Sequence, residues 1–140
     1  MNAPLYTTDI LRLAASLQGP RALERIDGQA ELRSATCGSR IQIRVQLGPD
    51  GRVEALSQQV NACAFGQASA ALLEAKAVGL NHDDATAALD LLSGWLANEQ
   101  DDLGSWQELL ALSPARVRQA RHGAILLPLR TLIAALDSGQ

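Results

Sequence analysis

Two thiols are the residues best equipped for chemistry. Cys37 stands in "ATCGSR" and Cys63 in "NACAFGQASAALLEAKAVG", and the chain has no third cysteine. A thiolate binds soft metals and attacks sulfur, whereas the protonated thiol does neither well. Cys63 comes just before a run with helical spacing. A helix N-terminus carries partial positive charge, which favours thiolate over thiol. Free cysteine is also among the most buried residue types and often only packs. At the level of residues both readings stay open. The two cysteines are 26 positions apart and form no C-x-x-C pair, so neither a thioredoxin motif nor a zinc knuckle is signalled.

The other candidates read as surface. His82, in "LNHDD", sits beside two aspartates in a helix-opening turn, where a capping role is expected. His122, in "RQARHGAIL", borders an apolar helix and is the histidine nearest to a third ligand position. Glu99, Asp101 and Asp102 suit a solvated loop. No nucleophile elbow, P-loop or G-x-G-x-x-G is present, so nothing points to an enzyme.

The elements that must position the thiols can be read from periodicity. Residues 40–47, "RIQIRVQL", alternate strictly: Ile41, Ile43, Val45 and Leu47 point one way, and Arg40, Gln42, Arg44 and Gln46 the other. This predicts a half-buried strand with one wet face. "GPDG" at 48–51 is turn chemistry, and "RVEALSQQV" at 52–60 is the returning strand of a hairpin. "GQAELRSAT" is a weaker third strand leading to Cys37. As a meander, these strands bring both thiols to one end of a small sheet. After Cys63 the period changes to 3.6, with Ala68, Ala71, Leu72 and Ala75 on one helix face and Gly79 at its C-cap.

Flanking segments read as helices. Residues 5–18 carry Ile10, Leu13, Ala14 and Leu17 on one face. A helix opening at "HDDATAALDLLSGWLANEQ" turns Ala85, Ala88, Leu89, Leu92 and Trp95 inward. "LGSWQELLAL" is a short helix, Ser113-Pro114 looks like an N-cap and N1 pair, and Pro128 starts or kinks the last helix within 123–137. The order helix, strands, helices predicts an α+β fold: an antiparallel sheet of about three strands, covered on one face by helices. A length of 140 residues fits a single domain, 1–140.

Composition bounds the function. The net charge of −3 and pI near 5.3 argue against a general phosphate-backbone binder. No apolar run approaches the ~18 residues of a membrane span. The first residues lack a basic start followed by an apolar block, so no signal peptide is expected. Two free thiols in a reduced cytoplasmic protein are the default expectation.

Nearly the whole chain resembles the NifU/IscU-like family of iron–sulfur cluster assembly scaffolds. "LYTTDILRLAASLQGPRAL" is similar to that family's opening helix and its Pro-Arg turn. "ATCGSRIQIRVQLGPDGRVEAL" is similar to its Cys-Gly-Asp loop and hairpin, and "VNACAFGQASAALLEAKAVG" to its second cysteine and small-residue helix. The resemblance implies the NifU/IscU (SufE-like) fold. It also implies a scaffold or accessory protein that holds iron, zinc or a nascent cluster through Cys37 and Cys63. The implied partners are a cysteine desulfurase and cluster-recipient proteins.

Ser39 falls where the family has its Asp, and the third cysteine is missing. "LSPARVRQ" puts Gln119 at that position. "HGAILLPLRTLIAAL" puts Ala124 there, and this register aligns over a longer stretch. Two thiolates cannot close a four-coordinate site. His122, Ser39, a small thiol or the thiols of a second copy in a homodimer would have to complete it. The alternatives are a sulfur acceptor, which needs one nucleophilic thiol, and a degenerate interaction module that binds partners without holding a cluster.

Overall fold

The computed structural model describes residues 7–34 and 38–138. Helix α1 spans Thr8–Ala15. Strands β1, Gly28–Arg33, β2, Arg40–Leu47, and β3, Val53–Asn61, follow. Then come α2, Ala64–Lys76, α3, His82–Leu96, a 3₁₀ helix at Gln107–Ala115, and α4, Gln119–Ser138. The strands form one antiparallel sheet in the order β1-β2-β3, so the fold is the expected α+β meander. Among the described residues, no helix is long and apolar enough to cross a membrane.

The core face follows from the alternation in β2. Ile41, Ile43 and Val45 are fully buried, and they pair with Val60, Gln58 and Leu56 of β3. Helix α4 covers β1 and β2, α2 packs against β3 and α4, α3 leans on α4, and α1 lies along α2. Gln58 is the polar intruder on this face. Its Nε2 donates to the Ala70 carbonyl at 2.9 Å and to Glu74 at 3.3 Å, which ties β3 to α2. The Glu74 carboxylate also accepts from the backbone N–H groups of Gln18 and Gly19, fixing the turn after α1.

The outer face is wet over only part of its length. Past Gln46 a bulge shifts the register, and Leu47 is only half-buried. The segment after α1 crosses this end of the sheet. Arg21 N donates to Ser57 Oγ at 3.0 Å, and Glu24 N to Gln46 Oε1 at 3.1 Å. The expectation of a solvated Gln46 is therefore corrected: a loop covers it.

Three helical expectations change in detail. Ala68, Ala71 and Leu72 are buried as predicted, but Ala75 is exposed, while Ala70 and Leu73 are buried. Helix α2 is sandwiched between α1 and α4, so its buried surface is wider than one stripe. It ends at Lys76 with Ala77 as C-cap, and Gly79 lies in the turn beyond. Ser113-Pro114 lies inside the 3₁₀ helix rather than capping the next one, and Ser113 Oγ donates backwards to the Leu110 carbonyl at 2.6 Å. Pro128 sits buried within α4, which continues through it. Helix α3 has the acidic start expected, with a capping box between Asn81 and Asp84.

Candidate functional site

The two cysteine-bearing segments leave the sheet side by side. Arg40 opens β2 and pairs with Arg33 at the end of β1 on one side and Asn61 at the end of β3 on the other. The β1–β2 loop and the β3–α2 junction therefore share one sheet end. Ser34 N donates to the Ser39 carbonyl at 2.8 Å and pinches the base of the loop. Gly38 takes a left-handed φ of +70°, a conformation that a side chain at this position would strain. Ser39 is buried. Cys37 lies outside the described residues.

Cys63 is the N-cap of α2, in extended backbone (φ −67°, ψ 173°), and is half-buried. Its carbonyl accepts from Gln67 N at 2.9 Å, while Gln67 Nε2 donates to the Ala62 carbonyl at 3.0 Å. Gln67 thus fastens the residues on either side of the thiol. An open hollow of about 430 Å³ is lined by Gly38, Ser39, Val60, Asn61, Cys63 and Gln67 among others. The two residues that follow Cys37 in sequence and Cys63 line this one space.

Behind Cys63 stands α4. A Cβ placed on Gly66 would lie 3.5 Å from Ala124 Cβ and 3.4 Å from its carbonyl oxygen, so the first turn of α2 rests on Ala124. Ala124 is fully buried there. Pro128 has no N–H to offer the Ala124 carbonyl one turn earlier, and that loosened turn faces α2. One residue on, the Ile125 carbonyl accepts from Ser69 Oγ at 2.6 Å. Gln119, the other candidate for the missing ligand position, is exposed and lines a separate hollow with Asn98, Arg116 and His122.

His122 Nε2 lies 3.0 Å from the carbonyl oxygens of both Ala115 and Arg116. Carbonyl oxygens only accept, so Nε2 carries the proton and Nδ1 holds the lone pair of the neutral ring. His82 pairs across to α4, its Nε2 2.8 Å from Asp137 Oδ1. Asp101 meets Arg116 at 3.3 Å, and Asp102 accepts from Gly104 N at 2.8 Å, so both organise their loop. Among the described residues, no group of three or more His, Cys, Asp or Glu side chains is placed to hold one metal ion.

Two features carry no signature in the sequence. One is the seat of Gly66 on Ala124, which joins residues 58 apart in the chain. The other is Arg116, which donates to the carbonyls of Trp95 and Gln100 and to Asn98 Oδ1 while stacking 4.7 Å from the Trp95 ring centroid.

No family model matches the sequence, and no curated protein matches it significantly. Solved structures do match. A nitrogen-fixing NifU-like protein (N-terminal) from Brucella abortus superposes with a TM-score of 0.86 at 27% identity, over 96% of this chain and 93% of that one. In fold and sequence the chain is similar to the NifU/IscU-like family. It carries two cysteines. The same NifU-like fold is found in a protein assigned as an iron–sulfur cluster assembly scaffold for the SUF system of the thermophile Fervidobacterium islandicum AW-1. That match has a TM-score of 0.81 at 18% identity and covers 94% of this chain and 96% of that one. A hypothetical protein matches with a TM-score of 0.72 at 20% identity, over 92% and 96% of the two chains. These last two establish the fold alone.

Proposed function

We propose that this NifU-like chain is a scaffold or accessory protein of iron–sulfur assembly, with Cys63 and Cys37 as the thiols that take its cargo. The observation that carries the reading is the shared hollow: Gly38 and Ser39 line it beside Cys63, in a fold matched along nearly its whole length by a NifU-like protein. The chemistry fits soft ligands. Thiolates are the usual ligands of iron–sulfur clusters, and Cys63 stands half-buried where α2 begins.

Two thiols per chain leave a four-coordinate iron or zinc unfilled. Two copies meeting at this rim supply four. The reading takes the second copy's thiols rather than His122, because His122 lines another hollow, apart from Cys63. Ser39 is buried, and its carbonyl accepts from Ser34 N at the base of the loop. A cysteine desulfurase is the expected sulfur source, and cluster-recipient proteins the expected acceptors.

The test is anaerobic reconstitution with ferrous iron and sulfide, followed by absorbance, metal and sulfide counting and sizing. The scaffold reading expects one cluster per two chains, abolished by Cys63→Ser and by Cys37→Ser. A monomer that binds no iron refutes it.

A second reading is favoured by the solvent access of Cys63: a sulfur acceptor. The Cys63 thiolate attacks the outer sulfur of a donor persulfide. The donor's S–S bond breaks, its thiolate leaves with the electron pair, and the sulfur remains on Cys63 as a new persulfide. No external oxidant is consumed. Mass spectrometry after incubation with a desulfurase and cysteine would show one added sulfur, lost in Cys63→Ser if Cys63 is the acceptor.

A further inference from the structure

The outer face of the sheet is the molecule's second surface of interest. Its far half, around Gln46 and Ser57, lies beneath the segment that follows α1. Its near half, next to the Cys63 hollow, is open. Strand register puts Arg33, Arg40, Gln42, Arg44, Gln59 and Asn61 on this open half. Arg33, Arg44, Gln59 and Asn61 are exposed, and Arg40 and Gln42 half-exposed.

The charge pattern there is unusual for a chain of net charge −3. Arg33 and Arg40 sit directly opposite each other across β1 and β2, with Cα atoms about 5 Å apart. Like charges in that position destabilise a sheet. None of the three arginines makes an ion pair among the described residues, whereas Arg25, Arg52 and Arg116 all do. Arg40 and Arg44 are two side-chain repeats apart on one strand, so the three charges span ~13 Å. Between them lie amides, which bond to peptide groups and carboxylates alike, and one acid, Glu31, at the edge.

We propose that this arginine face is the docking surface for a partner protein that presents a short run of carboxylates, seated so that the partner reaches the Cys63 hollow. Guanidinium groups pair with carboxylates two bonds at a time, and three of them on a flat sheet match an extended acidic segment. The partner offsets the repulsion between Arg33 and Arg40 that the free protein carries. Nucleic acid fits less well: the acidic chain as a whole repels it, and three charges are few for phosphate-backbone binding. The proposal goes beyond the sulfur and metal chemistry and does not require it.

The test uses the full chain and a fluorescein-labelled deca-glutamate peptide as probe, read by anisotropy at low and at physiological salt. The triple variant Arg33→Gln, Arg40→Gln, Arg44→Gln is expected to bind about tenfold or more weakly. It is expected to melt no lower than the parent, since a like-charge pair is removed. A control triple, Arg12→Gln, Arg21→Gln, Arg118→Gln, takes the same charge from exposed arginines elsewhere and should bind as the parent does. Cys63→Ser should also bind unchanged, so that failure of the thiol chemistry and failure of this surface are told apart. Equal loss in both triple variants, or none in the first, overturns the proposal. So does a 12-base-pair DNA duplex that binds as tightly as the peptide with the same arginine dependence.

Discussion

Gly66→Ala tests how the Cys63 rim is held. In a helix, alanine is better than glycine by up to ~1 kcal/mol, so propensity alone predicts a more stable protein. The structure predicts the opposite. A Cβ on Gly66 would lie 2.7 Å from Ala62 Cβ, where carbon atoms prefer ~3.5–4.0 Å. The helix cannot retreat, because Ala124 Cβ and carbonyl oxygen stand 3.5 and 3.4 Å away on another side. Overpacking of this kind costs ~1–3 kcal/mol. The net expectation is a loss of ~0–2 kcal/mol by urea denaturation. The part that yields is the Ala62 backbone, so the neighbouring Cys63 moves with it. In a Cys37→Ser background, the rate of Cys63 reaction with a thiol reagent should then change several-fold. Ala62→Gly removes the obstructing methyl. The double variant should recover stability relative to the sum of the singles, with a coupling of ~1–2 kcal/mol. A Gly66→Ala protein that is ~1 kcal/mol more stable, with an unchanged thiol rate and no coupling to Ala62, would refute the reasoning.

Other perturbations follow from named contacts. Arg116→Ala strips the end of α3 and the loop after it of four donated bonds and a ring contact, and should cost ~2–3 kcal/mol, seen as a fall in Tm of ~5–10 °C; Arg116→Lys, which cannot fork, should recover less than half. Ser69→Ala leaves the buried Ile125 carbonyl without its 2.6 Å donor and should cost ~1–2 kcal/mol in the same assay. Glu108 is held below the ordinary carboxylate value of 4.5, first by its own backbone N–H and then by Lys76 at 3.3 Å, against slight desolvation. A depressed folded value means its contribution is present above 4.5 and lost as pH falls through the lower folded value. Because the side chain is 55% exposed, Glu108→Gln should remove under ~0.5 kcal/mol of acid-dependent stability in a pH series of urea midpoints.

Periodicity made the strands legible because each has one buried face. Residues 40–47 form β2 as the alternation of Ile41, Ile43 and Val45 requires, and 53–61 return beside them. Where a residue's surroundings come from distant chain, the pattern misled. Gln46 and Ser57 are polar residues on the outer face, yet the segment around Arg21 and Glu24 covers them. Ala75 shares a helical face with Ala68 and Ala71 but is exposed. Ser113-Pro114 has the composition of a helix start. The local backbone spends it inside a 3₁₀ turn, because Ser113 Oγ bonds to a carbonyl behind it instead of a donor ahead.

The site divides along the same line. The strand ends that flank the cysteines could be read because a meander brings them to one edge, which the register of Arg40 with Arg33 and Asn61 displays. Its missing-ligand half could not, because two registers of the final segment fit the sequence almost equally well. Packing separates them. Ala124 sits against the first turn of α2, one turn beyond Cys63, whereas Gln119 opens α4 on a different hollow. Ala124 is fully buried there. A ligand restored there would need room made for it, and Gly66, without a side chain, is the neighbour that leaves the most. Ala124→Cys should therefore be tolerated with Gly66 intact. In anaerobic reconstitution it should raise iron bound per chain above that of the parent. Combined with Gly66→Ala it should lose that gain. Unchanged iron content in a folded Ala124→Cys protein would show that the third position lies elsewhere.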